Sequence, residues 1–195
     1  MSAAQSTHPT LAAALWPSER VSKVLKATLL ALVGTAILTI SAKIQVPFWP
    51  VPMTMQTFAV LVIGMAYGWR LGGATLLLYL AEGAVGLPVF AGGGGAAYLA
   101  GPTGGYLVGF VLAAAVVGYL AERGWDRSML TTLLAMVLGT GIIFLLGVAW
   151  LTGLIGLEKA IAGGLTPFLA GAAFKIVLAA AVLPMAWRLV GRGGR

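Results

Sequence analysis

The chain has 195 residues, of which 60% are hydrophobic and 9% charged, with 28 glycines and a mean hydropathy of +1.00. Soluble domains carry roughly 25% charged residues, so these few charges cannot cover a water-facing surface, and the solvent the sequence is built for is lipid. The lack of cysteine excludes a disulfide scaffold, a thiol nucleophile and cysteine-based metal sites, and the single histidine, His8 in the polar N-terminal stretch, argues against a Ser-His or zinc enzyme. No catalytic residue, metal or cofactor is therefore expected. The net charge of +7 comes from basic residues scattered singly between apolar runs, which speaks for membrane topology and against nucleic acid as a partner.

Residues 1–23 contain Ser, Thr, Pro and charges and lack the early apolar core of a secretory signal, so a cytosolic N-terminal tail is expected. Six apolar runs follow, at residues 24–42, 53–66, 71–84, 104–121, 129–151 and 167–190. A spanning helix needs about 20 such residues, so the second and third runs either reach further, tilt, or are partly re-entrant. The expected fold is an all-α integral membrane protein of six transmembrane helices over residues 24–190, ending in a short basic cytosolic tail, 191–195. With both termini inside, nine basic residues share the inner side (Arg20, Lys23, Lys26, Arg70, Arg123, Arg127, Arg188, Arg192 and Arg195) and two, Lys43 and Lys159, the outer. That bias is the positive-inside rule. Trp49 and Trp150 then fall near outer ends and Trp69, Trp125 and Trp187 near inner ends, as an interfacial belt would place them. Most glycines are read as close-packing positions between helices.

Both outer loops of the N-terminal half are unusual. Residues 43–52 hold three prolines and two aromatics, a stiff segment suited to a binding wall. Residues 85–103 are almost uncharged, so they are expected to fold back over the helices as a lid or wedge, their glycines allowing close backbone approach. The run of glycines at 92–95 lacks the lysine of a phosphate-binding loop, and no ATP hydrolysis is expected of this chain.

Lys175 lies about eight residues into the last run. A lysine at such depth costs at least about 2.5–3.5 kcal/mol, so it either pairs with Glu82, the acid inside an apolar run, or faces a wet cavity and receives an anionic group of a ligand. Gln56, Thr54, Thr57, Tyr79, Tyr98, Thr103 and Tyr106 lie towards the same side. Together they would form a pocket with amide and hydroxyl partners at one end and a cation at the other, suited to a small amphipathic carboxylate.

Three segments occur in order: Pro50-Val51-Pro52-Met53-Thr54-Met55-Gln56-Thr57, Gly86-Leu87-Pro88-Val89-Phe90-Ala91-Gly92-Gly93 and Gly101-Pro102-Thr103-Gly104-Gly105-Tyr106-Leu107. With them, over roughly residues 25–190, the chain resembles the BioY family of biotin transporters, the substrate-capture (S) components of energy-coupling factor (ECF) transporters. The resemblance implies biotin bound near the outer face, with the loop between the first two helices closing over it. It also implies partners, a transmembrane coupling protein and two ATPase subunits, docking on small residues of the first helix, here Ala27 and Ala31. In the last helix it implies an acid three residues before a lysine; Lys175 matches the lysine, but Ala172 stands at the acidic position. Either Glu82 compensates or affinity is lower.

The expected function is biotin uptake across the cytoplasmic membrane of a bacterium or archaeon, without covalent chemistry. Lys175 is expected to pair with the valerate carboxylate. Gln56, Tyr79 or Glu82 and an aromatic wall of Trp49 and Tyr106 are expected to meet the ureido and thioether ends, with Tyr98 and Thr103 completing the set. The rival expectation is a solitary, homo-oligomeric secondary carrier for biotin or another small carboxylate. The scarcity of relay groups beyond Glu82 and Lys175 and the lack of an internal repeat weigh against it.

Overall fold

The structure, a computed structural model, describes residues 8–16 and 22–192. Arg20 and Arg195 of the charge count, and the last residues of both tails, lie outside the described residues. The architecture is a helical bundle. A short α1 (Leu11–Leu15) and a long α2 (Lys23–Lys43) precede a small antiparallel hairpin, β1 (Gln45–Val46) and β2 (Met53–Thr54), in which Gln45 faces Thr54 and Val46 faces Met53. Then come α3 (Gln56–Ala84), α4 (Ala96–Leu99), α5 (Gly104–Ala121), α6 (Met129–Ile155), α7 (Leu157–Gly164), a 3-10 turn (Thr166–Phe168) and α8 (Leu169–Arg192).

Five helical segments are long and apolar enough to cross a membrane, and α3 is the reason that six apolar runs appear in the sequence. At Gly68 the backbone leaves helical geometry, with φ +81° and ψ 174°, a conformation that glycine adopts without steric cost. Gln56 and Tyr79 would stand about 35 Å apart on a straight helix, yet their side chains are hydrogen-bonded at 2.6 Å. The helix is therefore folded back on itself at Gly68 into two arms, 56–67 and 69–84, about 18 and 24 Å long at 1.5 Å per residue. Both arms are shorter than the ~30 Å of a bilayer core. Gly118 of α5 seals the turn, since a Cβ there would come within 2.5 Å of the Gly68 carbonyl carbon.

The core sits between α3, α5 and α6, where Val60, Met65, Leu76, Val117, Met136 and Ile143 are fully buried. On α2 the pattern is one-sided. Gly34, Thr35, Leu38 and Ser41 are buried, whereas Val24, Leu25, Leu29, Leu32, Val33, Ile37 and Ile40 are exposed, an apolar outer face that only lipid or an apolar partner can cover.

The hairpin and the segment 85–103 cap one end of the bundle. Phe90 is fully buried, edge-on to Tyr79 at 5.4 Å and stacked on Tyr98 at 5.1 Å, and a Cβ at Gly83 would fall inside its ring. Lys43 donates to the Phe90 carbonyl at 2.6 Å, and Gly95 N–H donates to the Gly83 carbonyl at 2.7 Å. These contacts hold the uncharged segment against the helices.

The opposite end gathers the turn of α3, the α5–α6 connection and the end of α8, and with them Lys23, Lys26, Arg70, Arg123 and Arg127. Of the N-terminal stretch, expected as a cytosolic tail, residues 8–15 fold over this end. Thr10 caps α1 by accepting from Ala13 N–H, Leu11 is 4% exposed, and His8 N–H donates to the Glu122 carbonyl at 2.7 Å. An N-cap threonine followed by an apolar residue is enough to fold a single turn once a bundle is there to bury it. Beside it Asp126 is fully buried, accepting from the Trp187 indole N–H at 2.5 Å with Oδ1, its second oxygen, unpartnered among the described residues. Burial raises its carboxyl above the usual range, against the opposing effects of the Trp187 bond and Arg127.

Candidate functional site

An apolar cavity lies under the hairpin, lined by four helices. From α8 come Ala172, Lys175, Ile176 and Ala179, and from α5 Thr103 at its cap with Tyr106, Leu107 and Phe110. Both sets repeat at i, i+3, i+4 and i+7, the spacing of a single helical face. From α6 come Met136, Thr140 and Phe144, and from the start of α3 Gln56, Thr57, Phe58 and Leu61; Thr54 of β2 and Phe90 close the top.

Lys175 is the one cationic residue of this lining. Its ammonium donates to the Thr54 carbonyl at 2.6 Å and to the Thr57 hydroxyl at 3.1 Å. Those are its contacts among the described residues: the pairing with Glu82 considered from the sequence is not formed, and Glu82 lies off the cavity wall, its backbone carbonyl accepting from Leu87 N–H at 3.1 Å. Ala172, one turn before Lys175, also faces the cavity. The charge thus has dipoles to rest on and no carboxylate, an arrangement that favours an incoming anion.

A second polar feature is a relay through Gln56, which adjoins Thr57 in the chain and is 4% exposed, and Tyr79, which is fully buried. Tyr79 Oη donates to the Val89 carbonyl at 2.8 Å, and a hydroxyl has one proton, so the group 2.6 Å away must donate to it. That fixes the Gln56 amide with Nε2 towards Tyr79 and leaves Oε1 without a donor among the described residues. Tyr79 itself is behind the wall and does not line the cavity.

Tyr106 is wedged between helices, its ring against Gly147 and its hydroxyl donating to the Gly164 carbonyl at 2.7 Å. Tyr98 lines the cavity beneath Phe90, with its hydroxyl accepting from Gly92 N–H at 3.3 Å. Trp49, expected in the aromatic wall, is 82% exposed at the hairpin tip and away from the cavity; its neighbour Phe48 instead packs on Phe168, with ring centroids 6.1 Å apart. Of the predicted residues, Lys175, Gln56, Tyr98, Thr103 and Tyr106 are brought together on the cavity wall, with Thr54 and Thr57. The aromatic wall is made by Phe58, Phe90, Phe110, Phe144 and Phe168, which the sequence reading passed over. Helical spacing from Tyr106 points to Phe110, and from Met136 to Phe144; nothing in the sequence marks Phe90 as inward-facing.

The two alanines expected to dock a partner lie in the N-terminal half of α2. Ala27 and Ala31 are half-buried, in line with Gly34 and Leu38, and Ala27 borders a groove shared with α1 and α3.

Comparison with known proteins agrees with this architecture. The BioY family model matches residues 11–192. The biotin transporter BioY of Thermotoga maritima is 43% identical over 150 residues, covering 76% of this chain and 88% of that protein. The probable biotin transporter BioY of Pyrococcus horikoshii is 40% identical over 157 residues, covering 80% and 91%. Among solved structures, the S-component for biotin from an ECF-type ABC transporter superposes with a TM-score of 0.74 at 23% identity, covering 86% of this chain and 95% of that one. The fold is thus that of an S component, in a multi-pass membrane protein. The chain belongs to the BioY family, as the three sequence segments indicated.

Proposed function

We propose that this protein binds biotin from the outer side of the cytoplasmic membrane and serves as the biotin-capturing S component of an ECF-type transporter. Membership of a family whose relatives are named biotin transporters supports the substrate. The observation that carries the reading in this chain is Lys175, a cation without a carboxylate partner among the described residues, in the wall of an apolar, aromatic cavity. Its ammonium takes the valerate carboxylate. Gln56 Oε1 accepts from a ureido N–H, held in that sense by Tyr79, and the phenylalanine wall packs on the fused rings. Thr103 and Tyr98 complete the lining. No bond is made or broken, so the protein is a carrier of its ligand and not an enzyme.

The test is equilibrium binding of labelled biotin to the purified chain, competed with biotin amide. Lys175→Ala removes the counter-charge and weakens biotin far more than the amide, since truncating one member of a buried charged pair costs about 3–5 kcal/mol. Equal losses for both ligands would defeat the assignment.

The remaining parts of the proposal follow the charge pattern and the fold. Six spans, two of them the short arms of α3, with both termini in the cytosol put the basic end inside, in the inner membrane of a bacterium or the membrane of an archaeon. A transmembrane coupling protein and two ATPase subunits supply the energy, with Ala27 and Ala31 in the docking region. Uptake that persists without any ATPase chain and collapses with an uncoupler would instead support the solitary oligomeric carrier.

A further inference from the structure

A second groove opens at the basic end of the bundle, far from the biotin cavity. Its walls are Trp16 and Ala13 of the N-terminal stretch, Lys23, Lys26, Ala27 and Leu30 of α2, and Tyr67 and Leu71 at the turn of α3. The floor is apolar and the rim cationic. Lys26 is held in place, donating to the Trp16 carbonyl with its ammonium 5.8 Å from the centre of the Trp16 ring. One of its three protons is committed there, and two remain. Lys23 is exposed at the rim, and the Tyr67 hydroxyl has no hydrogen-bond partner among the described residues. No acidic residue lines the groove among the described residues. Even with Glu19 counted, the stretch from 16 to 26 also holds Arg20, Lys23 and Lys26 and keeps a net charge of +2.

We propose that this groove binds the headgroup of an anionic phospholipid, its phosphodiester held by Lys23 and Lys26. The shape argues for a lipid over a soluble anion. The groove borders the exposed apolar strip of α2 formed by Val24, Leu25, Leu29, Leu32 and Val33, so a headgroup seated on the lysines leaves its acyl chains where hydrocarbon is already needed. Trp16 and Lys26 form an amphipathic pair suited to headgroup depth. Basic pockets between membrane helices select anionic lipids on the same physical ground. The groove also joins α1 to α2 and α3, so an occupied site ties the N-terminal stretch to the bundle.

The test is native mass spectrometry of the full chain in detergent, titrated with phosphatidylglycerol or phosphatidylcholine of matched chains, with inorganic phosphate as competitor. At about fivefold per lysine, phosphatidylglycerol is expected to bind about thirtyfold more tightly than phosphatidylcholine, and about 10 mM phosphate is expected not to displace it. K23Q reduces the preference about fivefold and leaves the Lys26–Trp16 contact intact; K23Q with K26Q abolishes it. R70Q, at the same end but off the groove, leaves it unchanged. Equal binding of the two lipids overturns the proposal. So does a preference that survives K23Q with K26Q, an equal loss in R70Q, or displacement by phosphate.

Discussion

Tyr79→Phe separates a residue that touches the ligand from one that aims a neighbour. The substitution keeps the ring that packs edge-on to Phe90 and removes one oxygen from behind the cavity wall. Two groups lose their partner, the buried Gln56 amide N–H and the part-buried Val89 carbonyl. An unsatisfied buried group costs about 1–3 kcal/mol, so the fold is expected to lose about 2 kcal/mol or more, read as a lower midpoint of thermal unfolding in detergent. Freed from Tyr79, the Gln56 amide can present either end to the cavity, and the acceptor proposed for the ureido group loses its fixed direction. A loss of about 1 kcal/mol in binding corresponds to roughly fivefold in Kd. The decisive assay is a double-mutant cycle on biotin affinity with Gln56→Ala. Tyr79→Phe should weaken binding about fivefold in the parent and have no further effect once Gln56 is gone. Unchanged affinity in a destabilised Tyr79→Phe protein would refute the relay, as would equal effects in both backgrounds.

Three further outcomes follow from other parts of the molecule. Ala172→Asp places a carboxylate one helical turn before Lys175 on the cavity face, so it should pair with the ammonium and shrink the preference for biotin over biotin amide; competition binding with both ligands checks it, and an unchanged preference would contradict the geometry. Gly68→Ala forces a side chain into a left-handed backbone position and against Glu122 Oε1, so it should destabilise the α3 turn by more than 1 kcal/mol, measured by thermal unfolding. For Asp126, burial raises the carboxyl, so the folded state prefers the protonated form. Its stability is then greatest below the ordinary carboxylate value of about 3.9 and declines as pH rises through the raised one. Asp126→Asn keeps an acceptor for Trp187 and should be more stable than the parent at neutral pH, the gap closing on acidification; a gap independent of pH would show that charge burial is not the cause.

The parts of this fold that meet lipid were plain in the sequence, because a helix solvated by hydrocarbon must be apolar over its whole exposed face. The fifth helix, α5, begins and ends where its apolar run does, at Gly104 and Ala121. The α3 hairpin was harder. A single residue, Gly68, makes the reversal, and its neighbours Tyr67 and Trp69 look no different from an ordinary helix end. Short elements that exist only when packed, such as α1 and α7, carry little local signal. At the cavity, Lys175 was conspicuous because an intramembrane charge is rare and must be satisfied. Trp49 was misleading for the opposite reason: aromatic residues in a rigid loop look like a wall, but the turn of the hairpin sends Trp49 outward and Phe48 onto Phe168. Glu82 lies in an apolar run near Tyr79, yet helix phase keeps it off the cavity.

Lys175 reaches from α8 to Thr54 in the hairpin and Thr57 at the start of α3, so one nitrogen atom joins three parts of the chain. Two of its three protons are committed, and an arriving carboxylate meets a donor whose remaining direction is set by the position of the hairpin. In the proposed complex, cargo and cover share a single electrostatic joint. By reciprocity, whatever a seated anion adds to the hold on the hairpin, the hairpin adds to the hold on the anion. On the proposed reading, prising the Thr54 strand away from α8 would re-aim the ammonium and slacken its hold, a mechanical route to unloading with no proton transfer at the site.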